Sequence, residues 1–248
     1  MKTVVVGASS GLGRCIGTGL AARGAQVALL ARRHDRLVDA AKDAGPGSLA
    51  IACDVTDPDS CRAAVDEAAA GLGGIDAVVY TPAIGPLARI TDVDPETWHR
   101  VFDTNVVGAA SITAAALPHL QESHGVAAYL SSVSASTTDP WPGLASYTVT
   151  KAALNKLIDA WRAEHPTVGF SRITVGDCIG GEGPGMTEFA SGWDMDLMME
   201  LHPIWQERSL LAGCFIDIDD LVTTVHHVLS AGASVAIPSV IVQPRPQS

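Results

Sequence analysis

The chain is 248 residues long, 47% hydrophobic, and carries 16 Lys+Arg against 27 Asp+Glu, a formal net charge of −11. That length and apolar share can build a substantial core and exclude disorder and fibrous repeats. The acidic balance argues against a nucleic-acid or anionic-membrane partner, both of which need a basic footprint.

From the N-terminus, "MKTVVVGASSG" offers only a short apolar run ending at Gly7, too brief for the core of a signal peptide, and no later stretch reaches the length of a membrane span. A cytoplasmic location is the expectation. The five cysteines contain no C-x-x-C pair and the eight histidines no H-E-x-x-H, a pattern that suits a reducing compartment and predicts no metal.

Short β-branched runs then alternate with longer alanine-rich segments of helical period. The strands read as "TVVVG" (3–7), "QVALLA" (26–31), "SLAIAC" (48–53), "IDAVVY" (75–80), "VAAYLS" (126–131), "VGFSRITV" (168–175) and a closing "SVAIPSVIVQP" (234–244). Helices are expected near 11–23, 34–44, 58–71, 95–117, 146–164 and 218–230. Asp57-Pro58 and Asp94-Pro95 read as helix starts, an acid at the N-cap followed by a proline pre-set for the first helical position. The alternation predicts an α/β fold with a doubly wound parallel sheet, and no linker divides it, so residues 1–248 form a single domain. Only 177–214 breaks the rhythm. Glycine-rich and then methionine-rich, it reads as a substrate lid or binding loop.

Two motifs carry chemistry. In "VVVGASSGLGRC" a strand runs into Gly7-x-x-x-Gly11-x-Gly13 and then a helix. Glycines let backbone approach a pyrophosphate, and the N–H groups and dipole of the helix start stabilise the anion. In "SYTVTK" Tyr147 and Lys151 lie four apart on a helix face shared with Leu154 and Ile158. On spacing alone the pair could simply end an apolar stripe. Its place after the fifth strand, beyond the serine cluster "LSSVSAS" (130–136), puts it where ligands bind in such sheets. A tyrosine near its ordinary pKa of about 10 holds a proton to donate. An ammonium ~4 Å away, at an effective dielectric of ~20, is worth ~4 kcal/mol towards removing it.

The G-x-x-x-G-x-G turn, the Y-x-x-x-K pair and the "CDVTD" segment (53–57) together resemble the short-chain dehydrogenase/reductase family, in a divergent form of its classical type. The resemblance implies a Rossmann fold and a nicotinamide cofactor held by Gly7, Ser9, Ser10, Gly11, Leu12 and Gly13. It implies that Asp54 meets the adenine amino group with Val55 beside the ring. It places Ala31 where NAD-using members carry an acid, followed by Arg32 and Arg33, whose guanidinium groups would bind a 2′-phosphate, so NADP(H) is the implied cofactor. It makes Tyr147 the proton donor, Lys151 its electrostatic support and a ligand of the nicotinamide ribose, and Ser132 the group that polarises the substrate carbonyl. Family spacing leaves Ser134 open for that last role. Asn105 would hold a water that links the lysine to solvent.

The sequence departs from the family at Tyr80, Thr81, Pro82 and Ala83, where N-N-A-G is usual, at "VGDCIGG" (175–181), where a proline-glycine turn is usual, and at its C-terminus. Pro82 and Ala83 are still expected at the cofactor. The implied activity is hydride transfer between NADP(H) and an apolar carbonyl or secondary alcohol, by a homo-oligomer, dimer or tetramer. The alternative is a non-catalytic NADP(H)-binding regulator or scaffold of the same fold. Trp193, Met195, Leu197, Met198, Met199 and Trp205 read either as an apolar wall of the substrate site or as the buried face of a lid helix.

Overall fold

In a computed structural model that describes residues 1–180 and 188–245, seven strands form one parallel sheet. The strands are β1 (Lys2–Val6), β2 (Gln26–Ala31), β3 (Leu49–Ala52), β4 (Ala77–Tyr80), β5 (Val126–Ser132), β6 (Gly169–Val175) and β7 (Ser239–Val242). Their order is β3-β2-β1-β4-β5-β6-β7. Of the expected lid, 181–187 lies outside the described residues.

The central strands are apolar on both faces because helices cover both. Val4, Val6, Leu30, Val78 and Tyr129 pack under α3 (Pro58–Leu72), α5 (Gly108–Ser123) and α6 (Ala145–Glu164). Their alternates Val5, Leu29, Val79 and Ala128 pack under α1 (Gly11–Ala22), α2 (His34–Ala44) and α8 (Ile218–Leu229). Each buried Leu, Val or Ile contributes about 1.5–3 kcal/mol relative to exposure, which makes a one-residue slip of register very costly. A third, smaller cluster of Leu87, Leu144, Leu201, Trp205 and Leu210 joins α7 (Met195–Glu207) to the rest. No helix among the described residues is long and apolar enough to cross a membrane.

The acid-proline helix starts behave as their chemistry requires. The Asp57 carboxylate accepts from Asp59 N–H at 2.9 Å and Ser60 N–H at 3.3 Å, and that of Asp94 accepts from Thr97 N–H at 2.6 Å.

Two expected elements differ. The helix over 95–117 is α4 (Pro95–Phe102), then a π-helical turn over Asp103–Val107, then α5 running on to Ser123. The final strand over 234–244 contracts to Ser239–Val242, because Pro238 and Pro244 flank it and neither has an N–H for a ladder.

β1 lies between β2 and β4, so the crossovers leave it in opposite directions, and the crevice at the C-terminal ends of β1 and β4 is where this topology binds ligands. The glycine turn, the loop after β4 and the end of β5 all open onto it. Asp57→Ala should lower the unfolding free energy by about 0.5–2 kcal/mol, the worth of one N-cap, measured by urea denaturation, with the folded spectrum unchanged.

Candidate active site

One cavity of about 720 Å³ fills that crevice, lined by Gly7, Ser9, Ser10, Gly11, Leu12, Gly13, Arg32, Arg33, Asp54, Val55, Pro82, Ala83, Ser132, Ser134, Tyr147 and Lys151. Every cofactor-binding and catalytic candidate from the sequence is thus at its wall except Asn105, which is wholly buried.

At the glycine turn, α1 starts with no side-chain cap and no acid in its first turn, so its N–H groups remain available to an anion. Gly11 has φ 54°, a left-handed conformation that glycine adopts freely, and the space where a Cβ would stand is open. A Cβ on Gly13 would collide with the Gly7 carbonyl. Arg33 reaches back over the turn and donates to the hydroxyls of Ser10 at 2.7 Å and Ser9 at 3.2 Å, while Arg32 is exposed at the rim. Burial works against the charge of Asp54, but hydrogen bonds from the N–H and hydroxyl of Thr56 and the field of Arg32 hold its carboxyl below the ordinary range. Uncapped helix N-terminus, glycines and guanidinium groups fit the phosphates of a dinucleotide.

At the other end Ser132, the last residue of β5, caps a short 3₁₀ turn over Val133–Ala135. Its Oγ accepts from Ser134 N–H at 3.2 Å and lies 2.9 Å from Ser134 Oγ. Burial raises the Tyr147 hydroxyl to a pKa of about 12, partly offset by its hydrogen bond with Ser132. Ser132 therefore meets the tyrosine, and Ser134 stands behind it. Lys151 is 2% exposed, donates to the Leu130 carbonyl at 2.6 Å, and its Nζ lies 5.8 Å from the Tyr147 ring centre. Burial pulls its pKa down to about 7.

Asn105 sits in the π turn, and its amide is fully committed. Oδ1 accepts from Ile84 N–H at 2.9 Å, while Nδ2 donates to the Ile84 carbonyl and to Thr150 Oγ1, each at 2.9 Å. The Thr150 hydroxyl in turn donates to the Tyr147 carbonyl at 2.8 Å. Both side-chain N–H donors are spent on protein, which makes the amide a staple between the loop after β4 and the helix of Tyr147.

The departure at Tyr80–Ala83 is accommodated. The Tyr80 hydroxyl donates to the Thr104 carbonyl, and Gly108 leaves room for it. Thr81 donates to the Val6 carbonyl at 2.6 Å, and its Oγ1 occupies the hollow left by the missing side chains of Gly7 and Gly13. Sequence reasoning missed Thr81, and it missed Gly85, Trp141, Asp177 and Phe189 on the cavity wall. Asp177 follows β6, where "VGDCIGG" replaces the usual turn. Burial raises its carboxyl, and an N–H from Ala212 opposes that. Phe189 could have been found from its four-residue spacing to Trp193. The apolar lid residues divide: Trp193 lines the cavity, Trp205 is buried in the third cluster, and Met195 and Met199 are exposed.

A parallel sheet wound in this order, with a glycine turn, Ser132, Tyr147 and Lys151 opening on one crevice, defines a dinucleotide-binding protein of the dehydrogenase type. The chain belongs to the short-chain dehydrogenase family, whose model matches residues 2–188. It is 34% identical over 195 residues to 11-beta-hydroxysteroid dehydrogenase 1A of Arabidopsis thaliana, covering 73% of this chain and 55% of that protein, so it spans little more than half of that relative's length. An uncharacterised oxidoreductase of Staphylococcus saprophyticus is 26% identical over 247 residues, covering 99% of this chain and 96% of its own. Among solved structures, a short-chain type dehydrogenase/reductase from Mycobacterium marinum superposes with a TM-score of 0.83 at 25% identity, over 97% of this chain and 93% of that one. An alcohol dehydrogenase from Thermococcus sibiricus complexed with 5-hydroxy-NADP shares the fold, with a TM-score of 0.80 at 23% identity over 99% and 98%.

Two predictions follow from this geometry. Asn105→Ala leaves the N–H and carbonyl of Ile84 without partners, and unfolding free energy should fall by about 2–3 kcal/mol in urea titrations. Lys151 has a folded pKa near 7 against an ordinary value of 10.5, so between those limits the unfolded chain binds the extra proton and stability rises with pH. Below pH 7 the burden of the buried ammonium is present in full. Lys151→Met should therefore flatten the stability profile between pH 7 and 10 and leave the protein at least as stable at pH 7, as urea midpoints at three pH values will show.

Proposed function

We propose that the protein is an NADP(H)-dependent oxidoreductase that interconverts an apolar ketone or aldehyde and the corresponding alcohol. The observation that carries this reading is the convergence of Ser132, Tyr147 and Lys151 at one end of a cavity whose other end is an uncapped helix N-terminus with two arginines. When bound, a nicotinamide coenzyme supplies or accepts the hydride. Ser132 hydrogen-bonds the substrate oxygen and aligns the hydroxyl of Tyr147, which gives that oxygen its proton as the alcohol forms. Lys151 holds the nicotinamide ribose, and its charge makes the tyrosine acidic enough to take the proton back in the reverse direction. Asn105 keeps the loop of Pro82 and Ala83 and the helix of Tyr147 in register. Asp54 and Val55 would receive the adenine.

NADP(H) is preferred over NAD(H) in this reading because Ala31 offers no carboxylate to a ribose 2′-hydroxyl, while Arg32 and Arg33 offer guanidinium donors to a 2′-phosphate. The apolar substrate class draws on the aromatic wall and on the printed names of the plant relatives, hydroxysteroid dehydrogenases. The regulator reading had its argument in Tyr80–Ala83, and the compensating contacts of Tyr80 and Thr81 weaken it. The proposal includes a cytoplasmic location and self-association as a dimer or tetramer; exposed Val107 and Val149 are apolar surface that a second copy could cover.

The test is a screen of the purified protein with NADPH against a carbonyl panel, followed on the best substrate by Tyr147→Phe. That variant should still bind NADPH while turnover falls by ~10²-fold or more; full activity in it would move the chemistry elsewhere. Ala31→Asp with Arg32→Ala should shift the Kd ratio of NADPH and NADH towards NADH, read by nucleotide fluorescence titration. Tighter NADH than NADPH binding by the unaltered protein would refute the cofactor assignment.

A further inference from the structure

The loop after β4, the helix of Tyr147 and the first described turn of the lid meet around one ring. Phe189 stands edge-on to Tyr147, with ring centres 4.9 Å apart and planes at 64°, and edge-on to Trp193 at 5.7 Å and 72°. Its tip lies over the Cα of Gly85, so close that a Cβ on Gly85 would collide with the Phe189 ring, and that Cβ would also stand 3.1 Å from the Cβ of Tyr147. Gly85 is buried and its φ is not positive, so the backbone does not require glycine here. What the missing side chain provides is room for the edge of one ring over the Gly85 Cα, beside the rings of Tyr147 and Trp193.

The walls of this slot are held by hydrogen bonds. Trp193 donates its Nε1–H to the Gly85 carbonyl at 2.8 Å and packs edge-on against Trp205 at 6.1 Å. Trp205, 2% exposed, donates to the Pro142 carbonyl at 2.9 Å. Gly85 follows Ile84, whose backbone is held at both polar atoms by Asn105. Among the described residues, the contacts of the Phe189 side chain are with the Tyr147 and Trp193 rings and the Gly85 backbone. All of Gly85, Tyr147, Phe189 and Trp193 line the cavity.

We infer that the slot between Gly85, Tyr147 and Trp193 is the subsite for a planar aromatic group next to the substrate carbonyl, and that Phe189 fills it until an aryl ketone displaces the ring. The inference rests on the oxidoreductase reading and names its substrate class. An aryl group in the slot keeps the edge-to-face contacts that Phe189 makes with Tyr147 and Trp193, and it carries its attached carbonyl towards the hydroxyls of Tyr147 and Ser132. Self-occupancy works against binding, since the ligand must exceed what Phe189 already gains.

The experiment measures binding without turnover. The full-length protein is saturated with NADP⁺, which cannot reduce a ketone, and titrated with 4′-fluoroacetophenone observed by fluorine NMR. Phe189→Ala should tighten the Kd by about two- to tenfold, the worth of an aromatic pair no longer competed for. Adding Gly85→Ala, which the absent ring now leaves room for, should abolish the gain. Phe189→Leu, which keeps apolar bulk, replaces the alanine variant if that fails to fold, and should give a smaller gain. Weaker or unchanged binding in the Phe189 variants would make Phe189 a wall of the site and overturn the inference, as would a gain that survives Gly85→Ala or the lack of any bound ketone. Because no hydride moves, these outcomes are independent of the carbonyl screen: turnover with aliphatic substrates alone sinks the aryl subsite and leaves the oxidoreductase reading standing.

Discussion

The arrangement of the site depends on one buried side-chain amide. Asn105 is fully buried, and each polar atom it left unpaired would cost about 1–3 kcal/mol, so its three hydrogen bonds fix distances among segments far apart in sequence. Through Ile84 it holds the loop that contributes Pro82 and Ala83 to the cofactor end and Gly85 to the substrate end. Through Thr150 it holds the helical turn between Tyr147 and Lys151. Asn105 lies in the π turn Asp103–Val107, and its amide pairs with both backbone polar groups of Ile84.

With that frame fixed, burial sets the proton inventory. Burial, against an opposing hydrogen bond from Ser132, takes Tyr147 up to about 12, and burial takes Lys151 down to about 7, each towards its neutral form. A neutral phenol with a proton to give is what carbonyl reduction requires. Alcohol oxidation requires the phenolate, hence a charged Lys151, hence partners for the ammonium beyond the single Leu130 carbonyl it has here. A ribose diol is such a partner. In the proposed reaction reduction leaves that same phenolate once the proton has gone, so both directions call on a charged Lys151 and on the same partners for it.

Much of this was legible in the sequence because the signals are local. A strand ending in three spaced glycines, a tyrosine and lysine one helical turn apart, and acid-proline helix starts each specify their own geometry. The π turn was not legible, since the run from Trp98 to Ile112 reads as an ordinary helix, and the partner its asparagine finds, Ile84, lies some twenty positions upstream. Nor was the amide's other contact, which reaches a separate helix. The closing strand was overread because "SVAIPSVIV" has the right residue types throughout, and only the prolines limit how much of it can enter a ladder. Met195 and Met199 were overread too. Their apolar character groups them with Trp205, yet they face solvent while Trp205 and Leu201 take the buried side.

Two of the departures from the family pattern, Tyr80 and Thr81, carry a further lesson, because each is matched by glycine elsewhere, and Phe189 over Gly85 repeats the arrangement. Tyr80 is bulkier than the residue usual at its position, and its hydroxyl enters space that Gly108 leaves vacant. Thr81 puts a hydroxyl into the hollow above Gly7 and Gly13. Phe189 lies over Gly85. In each case a side chain from one segment fills a void that a glycine elsewhere creates, so close packing survives while the shape of the surface changes. The first two pairs leave the glycine turn open to a phosphate. The third falls beside Tyr147, where extra volume comes directly out of the space for substrate. Local packing is conserved in all three, and only the pair at Gly85 and Phe189 alters what the cavity can select.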